Sequence, residues 1–253
     1  MNAETITSRQ NPLMTHLRKL ASSRSYRKKS GEYLCDGTKL LAEALKWGAE
    51  VKTAVFSEGV DIPPLPDGVR AVRVSEELMH SVSPMETPQG ALFTVALPEL
   101  QLPETLSGKH YLVLDGVQDP GNVGTILRTA DAFDCDGIFL VNACADLYNP
   151  KTARATMGAI FRREAYTVTA EELFALLRKS GVPLYGTALR DDTVPLAEAN
   201  LVRAAVAIGS EGRGLSQQVL DECAKTLKIP MNPRCESLNA AIAATVVLWE
   251  MYR

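Results

Sequence analysis

Three short stretches combine the residue types that chemistry on a bound ligand needs. Gly121-Asn122-Val123-Gly124, with Arg128 following, joins two glycines to an amide and a guanidinium. Ile208-Gly209-Ser210-Glu211-Gly212-Arg213-Gly214-Leu215 sets three glycines around a carboxylate and a second guanidinium. Ile229-Pro230-Met231, followed by Ser237-Leu238-Asn239, places a hydroxyl and an amide among apolar side chains. Glycine lets a backbone turn tightly and approach a ligand closely. An arginine can grip a phosphate, and a carboxylate or amide can orient a proton transfer. Taken singly, each stretch is also what a turn of any α/β protein requires, and Arg128 could simply face water. No G-x-G-x-x-G is present, and Val141-Asn142-Ala143 follows the next strand where a ribose-binding acid would stand, which disfavours a dinucleotide site.

Each stretch follows an apolar run and precedes a helical pattern, so the elements that position them are those of an open α/β sheet, which binds ligands beyond the carboxyl ends of its strands. The pattern predicts strands over 111–115, 137–141, 183–189, 204–209 and 227–230. It predicts helices over 123–133, 151–161, 171–179, 215–226 and 238–252. Asn122 and Ser237 are the expected N-caps of the first and last of these helices. The last is apolar nearly all round and must be covered by a core or by another subunit. This alternation implies a parallel sheet with helices on both faces.

Residues 1–97 form a smaller α/β unit, with helices expected over 12–21 and 38–48, the latter capped by Thr38, and strands over 32–35, 51–56, 69–74 and 91–96. Residues 98–108, with Pro98, Pro103 and Gly108, are the expected linker to a domain spanning 109–253. Residues 1–31 carry seven cations against the single acid Glu4, on a chain of formal net charge −3. Such a basic arm suits contact with a phosphate backbone, and Arg9, Arg18, Lys19, Arg24, Arg27 and Lys28 are the candidate residues for it. A solvated helix face is the alternative.

Composition is that of an ordinary globular protein, with 46% hydrophobic and 23% charged residues. The five cysteines are scattered with no CxxC pair and the three histidines lie far apart, so neither a disulfide framework nor a metal site is expected. No apolar run reaches the ~18 residues of a membrane helix. The start, Met1-Asn-Ala-Glu-Thr-Ile-Thr-Ser8, lacks a basic opening and an apolar stretch, and the cytoplasm is the expected compartment.

Together and in this order, the three stretches resemble the SpoU (TrmH) family of RNA ribose 2'-O-methyltransferases of the SPOUT class. Gly121 to Ala130 resembles the first family motif, Ile208 to Leu215 the second, and Ile229-Pro230-Met231 with Ser237-Leu238-Asn239 the third. Pro150-Lys151, Arg154-Ala155 and Met157-Gly158-Ala159 resemble a further family segment, and Ile6 to Pro12 the substrate-binding extension of many members.

The resemblance implies a SPOUT-type parallel sheet with a C-terminal trefoil knot, preceded by a small α/β substrate-binding domain. It implies S-adenosylmethionine as cofactor, a homodimer whose active site is completed across the interface, and structured RNA as substrate, with 23S rRNA preferred over tRNA. A non-catalytic RNA-binding paralogue is the further alternative, against which the intact motif residues speak. By position, Arg128, Asn122, Glu211, Ser237 and Asn239 match catalytic and substrate-positioning residues. Thr187, Ala188, Gly209, Gly214, Ile229, Met231, Ser237 and Leu238 match cofactor-binding positions. Pro233 stands where many members have glycine, and Asn239-Ala240-Ala241 replaces the common Asn-Val-Ser.

Overall fold

The computed structural model describes residues 3–235 and 237–253. In chain order the elements are β1 (Glu4–Thr5), α1 (Pro12–Ser22), α2 (Arg24–Ser30), β2 (Glu32–Asp36), α3 (Thr38–Lys46), β3 (Val51–Ser57), β4 (Arg70–Val74), α4 (Glu76–Val82) and β5 (Ala91–Ala96). There follow β6 (His110–Asp115), α5 (Pro120–Ala132), β7 (Gly137–Val141), α6 (Pro150–Ala155), β8 (Ala165–Thr167), α7 (Ala170–Ser180), β9 (Leu184–Thr187), β10 (Val194–Pro195), β11 (Ala204–Gly209), α8 (Gln217–Glu222), β12 (Lys225–Lys228) and α9 (Ala240–Tyr252).

The chain divides into two compact units. One comprises the residues up to Glu99 together with Asp146–Arg162; the other comprises Leu100–Ala145 and Arg163–Arg253. The first is built on a mixed sheet in the order β1-β4-β3-β5-β2, with an apolar core on each face. The second is a seven-stranded sheet in the order β10-β12-β9-β11-β6-β7-β8, in which every pair is parallel.

Residues 146–162, expected inside the second domain, pack instead with the first. Ala153, Tyr148, Ile160 and Phe161 join the core that includes Tyr33, Leu41 and Phe93, and Arg27 of α2 donates to Asp146 Oδ2 at 2.7 Å. The single helix expected over 151–161 stops at Ala155, because Met157 and Gly158 both take left-handed backbone, φ +49° and +95°. A Cβ at Gly158 would stand 2.9 Å from Glu43 Cβ, so the chain passes too close to α3 there for a side chain.

Three caps fall elsewhere than expected. Gly37, not Thr38, precedes α3. Asp119 caps α5, accepting from Asn122 N at 2.7 Å, with Pro120 in the first turn where its fixed φ and missing N–H cost nothing. Asn239, not Ser237, caps α9, its Oδ1 accepting from Ala241 N and Ile242 N at 2.9 and 3.3 Å. The expected helix over 215–226 is the shorter α8, capped by Ser216, because the chain re-enters the sheet at Lys225, opposite Tyr185.

The second unit's core gathers Val113, Phe139, Leu173, Leu177, Ala205 and Val219. On α9, Ala240, Ala241, Ala244, Val247, Leu248 and Met251 are buried, whereas Ile242, Trp249 and Tyr252 are 52%, 52% and 56% exposed. Among the described residues, no helix is long and apolar enough to cross a membrane.

Candidate active site

Because all seven strands of the second unit run parallel, their carboxyl ends share one edge, and the three glycine- and amide-bearing stretches leave the sheet there. Registers fix their spacing. Gly209 of β11 stands opposite Asp115 of β6, and Thr187 of β9 stands opposite Leu227 of β12. With β9 between β12 and β11, Thr187, Ala188, Gly209 and Ile229 therefore lie at the ends of three adjacent strands.

The stretch after β11 is a closed turn. Ser210 N donates to Gly214 O at 3.0 Å and Gly214 N returns the bond to Ser210 O at 2.9 Å. Gly214 has φ +68°, and a Cβ on Gly209 would come within 2.2 Å of Gly214 C, so both positions require glycine. This turn carries Glu211. The carboxylate accepts from Asn122 Nδ2 at 2.6 Å, and Asn122 Oδ1 accepts from Asn239 Nδ2 at 3.0 Å. Residues from all three stretches are thus joined in one hydrogen-bonded chain. Asn239 can take part because its own oxygen caps α9 while its amide nitrogen points across to α5.

Helices α5 and α9 run parallel and touch at both ends. The amide pair joins their first turns, and Phe133 meets Trp249 edge-on at 5.7 Å and Tyr252 at 5.6 Å between ring centroids at their last. Arg128 stands apart from this cluster. Six residues beyond Asn122 on α5, it is about 240° around and about 9 Å along the helix. It is exposed and has no ion-pair or hydrogen-bond partner among the described residues.

Of the remaining positions, Ser237, Gly214 and Met231 are exposed, and Ile229 and Leu238 are half-buried. Thr187 Oγ1 donates to Ala207 O at 2.9 Å, which ties the end of β9 to β11. An adenosyl group needs apolar walls beside bare backbone amides. Ile229 and Leu238 flank a run whose described residues are all exposed, and the glycines leave the neighbouring turn uncovered, so these residues suit such a group. No cluster of His, Cys, Asp or Glu able to hold a metal exists among the described residues.

Sequence reasoning missed one group here. Asp115, at the end of β6, is 2% exposed. Its Oδ1 accepts from Asn142 Nδ2 at 2.8 Å and its Oδ2 from Ser216 N at 2.6 Å. The acid is visible in Leu114-Asp115-Gly116, but nothing local announces partners so far along the chain.

In the first unit the basic arm divides. Arg27 is 3% exposed, with its guanidinium spent on Asp146 and the Leu20 carbonyl, so it has no face left for a phosphate; its assignment to RNA binding is corrected. Arg9 pairs with Glu77 at 2.6 Å, both well exposed. Arg18 donates to Arg9 O at 2.7 Å. Arg24 lies 3.8 Å from Asp146, Lys19 lies over the Tyr26 ring at 5.4 Å, and Lys28 is exposed.

The profile of the SpoU rRNA Methylase family matches residues 109–249, and that of the MRM3-like substrate binding domain matches residues 11–92. The chain is 32% identical over 251 residues to the 23S rRNA (guanosine(2553)-2'-O)-methyltransferase RlmP of Bacillus subtilis, covering 97% of this chain and 98% of that protein. It is 29% identical to the 23S rRNA (uridine(2479)-2'-O)-methyltransferase of Streptomyces viridochromogenes, over 99% and 92% of the two chains. The crystal structure of an AdoMet-bound rRNA methyltransferase from Sinorhizobium meliloti superposes with a TM-score of 0.87 at 28% identity, covering 98% of this chain and 97% of that one. On these matches the chain belongs to the SpoU rRNA Methylase family.

Proposed function

We propose that this protein transfers a methyl group from S-adenosylmethionine to a ribose 2'-hydroxyl of 23S rRNA, in the cytoplasm and as a homodimer. The observation that carries the reading is the chain Glu211–Asn122–Asn239 at the carboxyl edge of the parallel sheet, which unites all three motif stretches. S-adenosylmethionine supplies an activated methyl group on a sulfonium. Ile229, Leu238 and Met231 contribute apolar contacts to its adenine, and the backbone of Gly209, Gly214, Thr187 and Ala188 contributes hydrogen bonds. In this reading the stretches after β11 and β12 are those of a trefoil knot, a topology almost absent elsewhere.

A ribose hydroxyl must lose its proton and meet the methyl carbon in line. Asn122, Glu211, Ser237 and Asn239 orient the sugar for that approach. Arg128 grips the adjoining phosphate and stabilises negative charge developing on the ribose oxygen. A guanidinium stays protonated in proteins, so the proton leaves to phosphate or water rather than to Arg128. Since Arg128 is turned away from the Asn122 cluster of its own chain, it serves the site of the second copy. The exposed apolar stripe Ile242, Trp249 and Tyr252 on α9 is the surface through which that copy docks. Arg9, Arg18, Lys19, Arg24 and Lys28 contact RNA phosphates.

The test is methyl transfer from tritiated S-adenosylmethionine to ribosomal RNA of a strain lacking this gene, followed by nucleoside analysis. A single 2'-O-methylated nucleoside in 23S rRNA is the expected product. A base-methylated nucleoside, or no incorporation, overturns the proposal.

A further inference from the structure

Asp115 is the buried acid that the scheme above leaves unused. In register it lies between Gly209 of β11 and Val141 of β7, at the root of two stretches that leave the sheet together. Both carboxylate oxygens are engaged, Oδ2 by the backbone N–H of Ser216 at 2.6 Å and Oδ1 by Asn142 Nδ2 at 2.8 Å. Asn142 Nδ2 also donates to Ser216 Oγ at 3.1 Å, so the three residues close a ring. Hydrogen bonds to a carboxylate are about twice as strong as neutral ones, and burial removes the competing water.

Backbone strain is spent to keep this ring. Asn142 and Ala143 are consecutive residues at φ +53° and +59°, a conformation costly for alanine. It turns the Asn142 side chain back onto Asp115. Gly116 next door is also left-handed, φ +66°, and a Cβ there would meet Asn142 O at 3.2 Å. The crowded geometry leaves the carboxylate little freedom.

What the ring holds is the far stem of the Glu211 turn. The near stem, Gly209, is fixed in β11; the far stem reaches Ser216 through Gly214 and the buried Leu215. Within the turn, the paired Ser210 and Gly214 bonds brace the segment that carries Glu211. We infer that Asp115, oriented by Asn142, is a positioning residue that sets the Glu211 turn through Ser216 N and so keeps Glu211 within hydrogen-bond reach of Asn122. The inference rests on the catalytic reading of Glu211 proposed above.

An asparagine at 115 removes the carboxylate charge from the bond to Ser216 N–H, and its amide nitrogen meets Asn142 Nδ2 unless Asn142 turns over as well. Asp115→Asn is therefore expected to lower kcat about thirtyfold, the scale of losing one hydrogen bond to a charged group. Asn142→Ala keeps the carboxylate and its bond to Ser216 N, and is expected to lose several-fold.

The discriminating experiment is a double-mutant cycle on single-turnover methyl transfer to ribosomal RNA, using Asp115→Asn, Glu211→Gln and the pair. Tm and S-adenosylmethionine binding are measured alongside. If Asp115 acts through Glu211, its substitution costs little more once Glu211→Gln is present. Fully multiplicative losses, or full activity of a folded Asp115→Asn protein, overturn the inference. Should Asp115→Asn fail to fold, the cycle is run with Asn142→Ala, and its additivity decides in the same way. An active Glu211→Gln protein overturns instead the catalytic reading of Glu211, so the two failures are told apart.

Discussion

Asn239 Nδ2 donates to Asn122 Oδ1 at 3.0 Å, and with this bond the first turn of α9 is tied to the first turn of α5. One side chain therefore has two duties, since Asn239 Oδ1 also caps α9. Asn239→Ala removes both. Loss of the cap is expected to destabilise the protein by about 1 kcal/mol. Loss of the amide contact is expected to lower kcat well beyond what a small fall in stability explains. Asn239→Ser, which keeps a cap without reaching Asn122, should recover the Tm but not the turnover. Recovery of both would show that Asn239 acts only as a cap.

Trp249 presents half its surface to solvent beside Ile242 and Tyr252. Replacing it with glutamate places a charge in the proposed dimer surface, and sedimentation should report a monomer with an unchanged circular dichroism spectrum. A Trp249→Glu protein that remains dimeric would place the interface elsewhere.

The basic arm predicts two opposite phenotypes from neighbouring cations. Arg27→Ala empties a position that is 3% exposed and leaves the half-buried Asp146 with only the more distant Arg24, 3.8 Å away, as an ion-pair partner among the described residues, so Tm should fall. Lys28→Ala should leave Tm alone, weaken RNA binding and flatten its dependence on salt, because fewer counterions are released. Equal effects of the two on the salt slope would contradict the placement of Arg27.

Burial pushes the thiols of Cys135 and Cys144 up to about 11 and that of Cys223 up to about 12. A raised pKa means that almost none of each is thiolate at pH 8, and thiolate is the form that alkylates. Cys35 is also buried, and its thiol is raised by burial and by the neighbouring Asp36. Native protein at pH 8 should therefore take up iodoacetamide at the exposed Cys235 alone, with the others following only above pH 10 or on unfolding. Because Cys235 lies between Ile229 and Leu238, S-adenosylmethionine should slow its labelling. Fast labelling of Cys135 or Cys144, or no protection at Cys235, would be inconsistent with this arrangement.

Much of the second unit was legible because its strands are short apolar runs bounded by polar turns; β7 and β11 begin and end where the pattern places them. The helix expected over 151–161 failed for a reason no periodicity carries, since Met157 adopts a left-handed backbone without being glycine. The cap of α5 stands in the sequence as Asp119-Pro120, three residues ahead of the expected Asn122. The three motif stretches could be picked out by residue type, but not the bonds that join them. Asn122 meets Glu211 and Asn239 across 89 and 117 positions of chain, and only a folded sheet brings them together. Arg27 shows the converse. A cation in a basic run looks solvated, and its burial depends on Asp146, which stands 119 positions away.

In the proposed dimer Arg128 of one subunit completes the Asn122–Glu211–Asn239 cluster of the other, so two variants that each lack one of these groups should complement when mixed. Arg128→Ala and Glu211→Gln proteins should each fold, dimerise and keep only a small residual fraction of wild-type methyl transfer. After mixing, unfolding and refolding at equal amounts, activity should return to about a quarter of the wild-type value, because half the two-fold dimers are mixed and each mixed dimer holds one intact site. A mixture as inactive as its components, with mixed dimers confirmed to be present, would contradict it.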